Sequence, residues 1–129
     1  MEVAIFKNEN LVLEIRNGIL LGEYKDSLTV TLPVAREMVT KRLEFQRQNN
    51  YSIIPMIAKL NIKYMQKEAR EYLAAEGSKG LNAAAFITSS LVSRILIKIF
   101  LKVDKPPIPI AVFENEESAV AWIKKLVIE

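Results

Sequence analysis

The sequence predicts an α/β protein: a mixed β-sheet of four to six strands with about four helices, opened by an N-terminal antiparallel hairpin. Three observations carry that expectation. Short apolar runs rich in β-branched residues alternate with stretches of helical apolar spacing, and such alternation implies a parallel or mixed sheet. Asn17-Gly18 stands between two strand-like segments, a strong two-residue hairpin signal. The 129 residues, 50% hydrophobic and 26% charged, suit one soluble domain over 1–129.

The elements follow in order. Val3 and Ile5, then Leu11, Leu13 and Ile15, alternate with polar neighbours around the turn-like Lys7-Asn8-Glu9-Asn10, giving a strand pair. Ile19 to Tyr24 returns as a strand after the Asn17-Gly18 turn. Thr31 can cap a helix whose first turn holds Pro33, where a missing N–H is harmless. Val34, Ala35, Met38, Val39, Leu43 and Phe45 form its apolar stripe, and Asn49-Asn50 ends it. Ser52 to Leu60 reads as a buried strand, with Pro55 marking an edge or a bulge.

Ile62, Met65, Ala69, Tyr72 and Leu73 share a helical face, so Lys63 to Ala75 is expected to be an amphipathic helix stopped by Gly77 and Gly80. Ala83 to Ile87 is a strand of small residues. Thr88-Ser89-Ser90 can cap a helix from about Leu91 to Lys102, and Lys105-Pro106-Pro107-Ile108-Pro109 is a stiff connector. Ile110 to Phe113 is the last strand. Asn115 caps a final helix, Glu116 to Val127, with acids at its positive end and Lys124 and Lys125 near its negative end.

Composition excludes whole classes of chemistry. The chain has no histidine and no cysteine. It therefore has no thiol nucleophile, no disulfide, no thiolate or imidazole metal site and no histidine base. No catalytic residue, metal site or cofactor is expected. Lys63, Tyr64 and Ser89 are the only trio that an enzyme could use here. The net charge of +3 is too small and too scattered for a nucleic-acid binder. Residues 51–102 carry 8 basic and 3 acidic groups, which suits solvated helix faces and could attract an anion. The start lacks a basic segment followed by an apolar core, so no signal peptide is expected, and the stretch Leu91 to Leu101 is too short for a span of about 20 residues. Both point to a cytoplasmic protein without membrane contact.

The element order, the Thr31-Leu32-Pro33 helix start and the ending Phe113-Glu114-Asn115-Glu116-Glu117-Ser118-Ala119 with Trp122-Ile123 resemble the STAS fold of sulfate transporters and anti-sigma-factor antagonists. The resemblance covers nearly the whole chain. It implies a regulatory domain that works through protein contacts. Anti-sigma-factor antagonists carry an Asp-Ser-Ser/Thr-Gly motif after the central strand, and its serine is phosphorylated. The corresponding stretch here is Lys59-Leu60-Asn61-Ile62-Lys63-Tyr64, with no serine, threonine or glycine, so that phosphoswitch does not carry over.

Two places invite a ligand or partner. Ligands in open α/β sheets bind beyond the carboxyl ends of strands. Asn61, Lys63 and Tyr64 follow one strand; Thr88, Ser89 and Ser90 follow the next. If those strands are neighbours, the hydroxyls and a helix N-terminus face the lysine across a crevice fit for a small anion. The alternative is ordinary capping. The second place is Leu91 to Leu101. Arg94 and Lys98 share one face and nearly everything else is apolar, more than the roughly 100° stripe one packed face needs. Three readings stay open: burial within the monomer, a homodimer face, or a greasy pocket or lipid contact with the two cations snorkelling. As a docking face it consists of Leu91, Arg94, Ile95, Leu96, Lys98 and Ile99. Met38, Met56, Met65, Phe45, Phe86 and Phe100 read as core, or as the lining of a cofactor box. The expected function is a non-enzymatic domain acting through protein contacts as a homodimer. The alternative is a small apolar ligand or lipid module of related architecture.

Overall fold

The computed structural model describes residues 4–128, so Val3 of the first expected strand lies outside the described residues. β1 (Ala4–Lys7), β2 (Leu11–Arg16) and β3 (Ile19–Tyr24) form an antiparallel meander. Its second turn places Asn17 at φ 53° and Gly18 at φ 76°, the left-handed pair that a tight primed turn demands. β4 (Leu28–Val30) leads into α1 (Leu32–Gln48), whose first turn is capped by Thr31 accepting from the Val34 N–H at 3.4 Å. Then come β5 (Ile54–Lys59), β6 (Ile62–Met65), α2 (Lys67–Glu76), β7 (Leu81–Ile87), α3 (Leu91–Ile99), β8 (Ile110–Phe113) and α4 (Glu116–Ile123). Both α3 and α4 run on into widened π-type turns, Phe100–Asp104 and Lys124–Ile128.

The main sheet has six strands in the order β1-β2-β3-β5-β7-β8, parallel from β3 onward. The expected mixed α/β sheet with its antiparallel N-terminal hairpin is thus present, with four helices. One face carries α1, α2 and α3. Ala35, Phe45, Ala69 and Ile97 from these helices pack with Leu13, Leu20, Met56, Ala58 and Leu81 of the sheet. The other face carries α4, whose Ala119 and Ile123 meet Ile57, Ala83, Ala85 and Ile87. Trp122 lies 5.7 Å from Phe113, ring to ring, anchoring α4 to the edge of the sheet.

Pro55 sits where the β5–β7 register shifts, between Ile54 and Met56. Three residue steps of β7 (Leu81 to Ala84) match two of β5, so the bulge follows from a strand position without an N–H. β5 is nevertheless a central strand, not an edge.

The sequence did not signal a second, two-stranded sheet, β4 paired in parallel with β6. The helix expected over Lys63 to Ala75 starts later, at Lys67, because Ile62–Met65 is a strand. The three-residue β4 would otherwise present unpaired backbone groups. β6 satisfies them, and Gln66 locks the junction: its N–H donates to Val30 O at 2.9 Å and its Oε1 accepts from the Leu32 N–H at 2.9 Å.

Gly80 enters β7 at φ 78°, and a Cβ there would meet Gln46 Nε2 at 2.9 Å and Leu43 Cδ2 at 3.1 Å. Strain and crowding add, so Gly80→Ala is expected to lower unfolding free energy by about 1–3 kcal/mol in denaturant titration.

Candidate functional site

The crevice at the carboxyl ends of β5 and β7 exists because those strands are neighbours. Asn61 is its organiser. Its Oδ1 accepts from the Thr88 hydroxyl at 2.7 Å and the Ser89 N–H at 3.2 Å, while its Nδ2 donates to Asp26 Oδ1 at 3.1 Å. Ser90 Oγ accepts from the Ser93 N–H at 3.2 Å, an ordinary helix cap. Ser93 is fully buried, and its Oγ accepts from the Ile62 N–H at 2.8 Å, tying α3 to β6.

Asn61, Lys63, Ser89 and Ser90 line the crevice together with Asp26, Ser27 and Val92. Thr88 is buried beneath it, and Tyr64 lies outside its lining, exposed on the strand. Adjacent strand positions face opposite ways, so Lys63, Tyr64 and Ser89 do not converge. The Thr88 and Ser90 hydroxyls and the Asn61 amide are engaged with one another, with backbone N–H groups and with Asp26. Ser93→Ala would leave the Ile62 N–H without its partner. We expect it to cost about 1–3 kcal/mol in chemical denaturation.

Helix α3 turns Ser93, Ile97 and, past its end, Phe100 inward. Its other side is exposed among the described residues: Leu91 is 71% exposed, Ile95 49% and Ile99 40%, with Val92 and Val103 also exposed. Burial within the monomer therefore does not explain the apolar excess of this helix. Leu96 differs from the other residues named for that face, because it packs against the core. Arg94 is half-buried and donates to Glu114 Oε1 at 2.7 Å. Lys98 and Lys102 remain exposed along one edge of the apolar row.

The largest departure from the sequence reading lies between α1 and the sheet. A cavity of about 90 Å³ lies there between almost wholly apolar walls. Met38, Met56, Met65, Phe86 and Phe100 line it, whereas Phe45 belongs to the packed core. Ile97 brings the inner side of α3 to the same wall. Three residues with polar side chains border it, Tyr24, Arg42 and Ser78.

Arg42 is 3% exposed. Its Nη1 donates to Gln46 Oε1 and its Nη2 to Gly77 O at 3.0 Å. Among the described residues no carboxylate pairs with it. Burial pulls its guanidinium below the usual arginine range, only partly offset by Tyr24. Burial likewise pushes the Tyr24 phenol above its ordinary value of 10, with Arg42 pulling the other way.

A raised phenol stabilises the folded state fully below pH 10 and progressively less above it, because the unfolded chain releases that proton first. Thermal scans from pH 9 upward are expected to show falling Tm, with a shallower fall in Tyr24→Phe.

The sequence offered a signal for Arg42 and Gln46. They fall on the spacing of Ala35 and Val39, the buried side of α1. A charge on a core stripe is the cue, and it passes easily for the stripe's polar border.

Comparison with known proteins adds family and fold. No curated protein matches the sequence. A crystal structure from Shewanella loihica PV-4, of an uncharacterized protein from the DUF3478 family with a SpoIIAA-like fold, aligns with a TM-score of 0.55 at 12% identity, covering 94% of this chain and 91% of that one. The fold is thus SpoIIAA-like, the STAS type that the ending Phe113 to Trp122 resembles. Among the described residues no helix is long and apolar enough to cross a membrane. The family described as "Domain of unknown function (DUF7793)" matches residues 13–127, nearly the whole sequence, and the chain belongs to that family.

Proposed function

We propose that this chain is a non-enzymatic binding domain that acts through protein contact, and that the partner seated on α3 is a second copy of the chain. The observation that carries the reading is the exposed row Leu91, Ile95, Ile99 and Val103. A solvent-facing helix rarely keeps such a contiguous apolar row unless something covers it. A second copy suits the charges. Lys98 and Lys102 lie toward the carboxyl end of the row, and Glu114 sits by Arg94 in its amino-terminal half. An antiparallel two-fold pairing brings each copy's lysines toward the other copy's Glu114, and a two-fold contact must be self-complementary in this way.

The lack of cysteine makes a clean trap. Ile95→Cys or Ile99→Cys carries a single thiol near the middle of the row. Mild oxidation is expected to yield a covalent dimer of twice 14.7 kDa, whereas Glu9→Cys, in the β1–β2 turn, stays monomeric. Equal trapping at all three positions would count against the reading.

A second reading is favoured by the cavity: a small apolar ligand held between α1 and the sheet. The crevice at Asn61 carries neither reading, since Asn61, Thr88 and Ser90 are engaged in structural hydrogen bonds.

A further inference from the structure

We propose that the cavity between α1 and the sheet binds a small carboxylate with a short aliphatic tail, its tail among the methionines and its carboxylate on Arg42. This rests on the ligand reading and names the class of ligand.

Three observations on separate parts of the chain converge. The first is the space itself. An interior packs to the density of an organic crystal, and voids larger than a water are few. Here a cavity of about 90 Å³ has walls that are nearly all carbon. An engineered apolar cavity of about 150 Å³ takes benzene, so this one takes a tail of roughly four carbons. Met38, Met56 and Met65 line it, and unbranched thioether side chains re-pack around a guest more readily than β-branched ones.

The second observation is Arg42. A buried guanidinium offers five donors in a planar fork that matches a carboxylate. Among the described residues two acceptors meet it, Gln46 Oε1 and Gly77 O. Gly77 caps the carboxyl end of α2, so its carbonyl carries part of a negative charge but not a full one. Buried charges are ordinarily paired, and breaking such pairs is strongly destabilising. Among the described residues no carboxylate pairs with this arginine, and it borders the apolar cavity. A carboxylate guest supplies the missing charge.

The third is Tyr24, whose ring lies across Gly22 and whose residue lines the same cavity. Burial keeps its phenol protonated. A neutral phenol near Arg42 is a donor suited to an anion and does not neutralise the arginine. Gly22 leaves room for this arrangement: a Cβ there would stand 2.8 Å from Met56 Cε.

The test is calorimetric titration of the full chain with pentanoate, with pentan-1-ol as the uncharged match for tail length. Pentanoate is expected to bind with a Kd of about 10 µM to 1 mM, and at least about tenfold more tightly than the alcohol. Titration of methyl-labelled methionine is expected to shift Met38, Met56 and Met65. Ala84→Leu fills the cavity from β7 and is expected to abolish binding; Arg42→Gln is expected to remove the preference for the carboxylate. Should either variant fail to fold, the comparison of the two ligands on the wild-type chain still decides. Equal binding of acid and alcohol overturns the role of Arg42 while leaving an apolar-ligand site standing. Absence of binding by both overturns the proposal together with the ligand reading.

Discussion

Gln46→Leu is expected to lower unfolding free energy by about 3 kcal/mol, roughly 10 °C in Tm. Gln46 is 2% exposed and serves three partners at once. Its Nε2 donates to Gly80 O at 3.0 Å and Tyr51 O at 3.3 Å, and its Oε1 accepts from Arg42. Leucine keeps much of the volume but leaves two inward-facing carbonyls without that donor. It also deprives a buried guanidinium of one of its two acceptors, which is the costlier loss, because groups bonded to a charge lose more than neutral pairs. Gln48→Leu, two residues on but exposed, is the control and is expected to stay within about 0.5 kcal/mol of wild type. Denaturant titration at equal slopes separates the two. A cost for Gln46→Leu no larger than that of the control would mean that the polar knot joining α1 to Gly77 and Gly80 does not hold the fold together.

The second large effect belongs to the surface. The double variant Ile95→Glu, Ile99→Glu is expected to weaken self-association by at least about 100-fold, since central apolar anchors commonly contribute 2 kcal/mol or more each. The same substitutions leave the monomer folded, because both side chains point to solvent and the inward residues Ser93, Ile97 and Phe100 are untouched. Leu96→Glu behaves differently. Leu96 packs against the core, so the charge is expected to lower stability as well as association. Sedimentation velocity with a parallel thermal scan distinguishes the two variants.

Much of the architecture was legible because local signals agreed with one another. Asn17-Gly18 is a turn by backbone preference alone, and its φ values are those of such a turn. Thr31, Ser90 and Asn115 each cap the helix that follows, with the side chain accepting from a first-turn N–H. Pro55 announced its bulge by the donor it lacks. What was not legible depends on partners distant in sequence. Leu28-Thr29-Val30 is too short to carry a period, and it becomes a strand only because Ile62–Met65 lies beside it. Those four residues fit a helical face as well as a strand, and tertiary pairing decided between the two.

The candidate site divides in the same way. The rule about strand ends led to the crevice beyond β5 and β7, where Asn61, Thr88 and Ser90 make structural hydrogen bonds. The cavity could not be placed, because it depends on how α1 sits over β3, β5 and β7. Of its lining, the sequence marked the methionines and two phenylalanines as a possible box. Arg42 carried only the cue of a charge on the core stripe of α1, and Tyr24 carried none.

The most direct test of the central claim is the solution mass of the wild-type chain by light scattering, from about 1 µM to about 100 µM, a range that covers weak and standard interfaces. The exposed row on α3 predicts a rise from 14.7 kDa toward twice that mass, with no further growth, since a two-fold contact closes on itself. A mass that stays at 14.7 kDa across the whole range would contradict it.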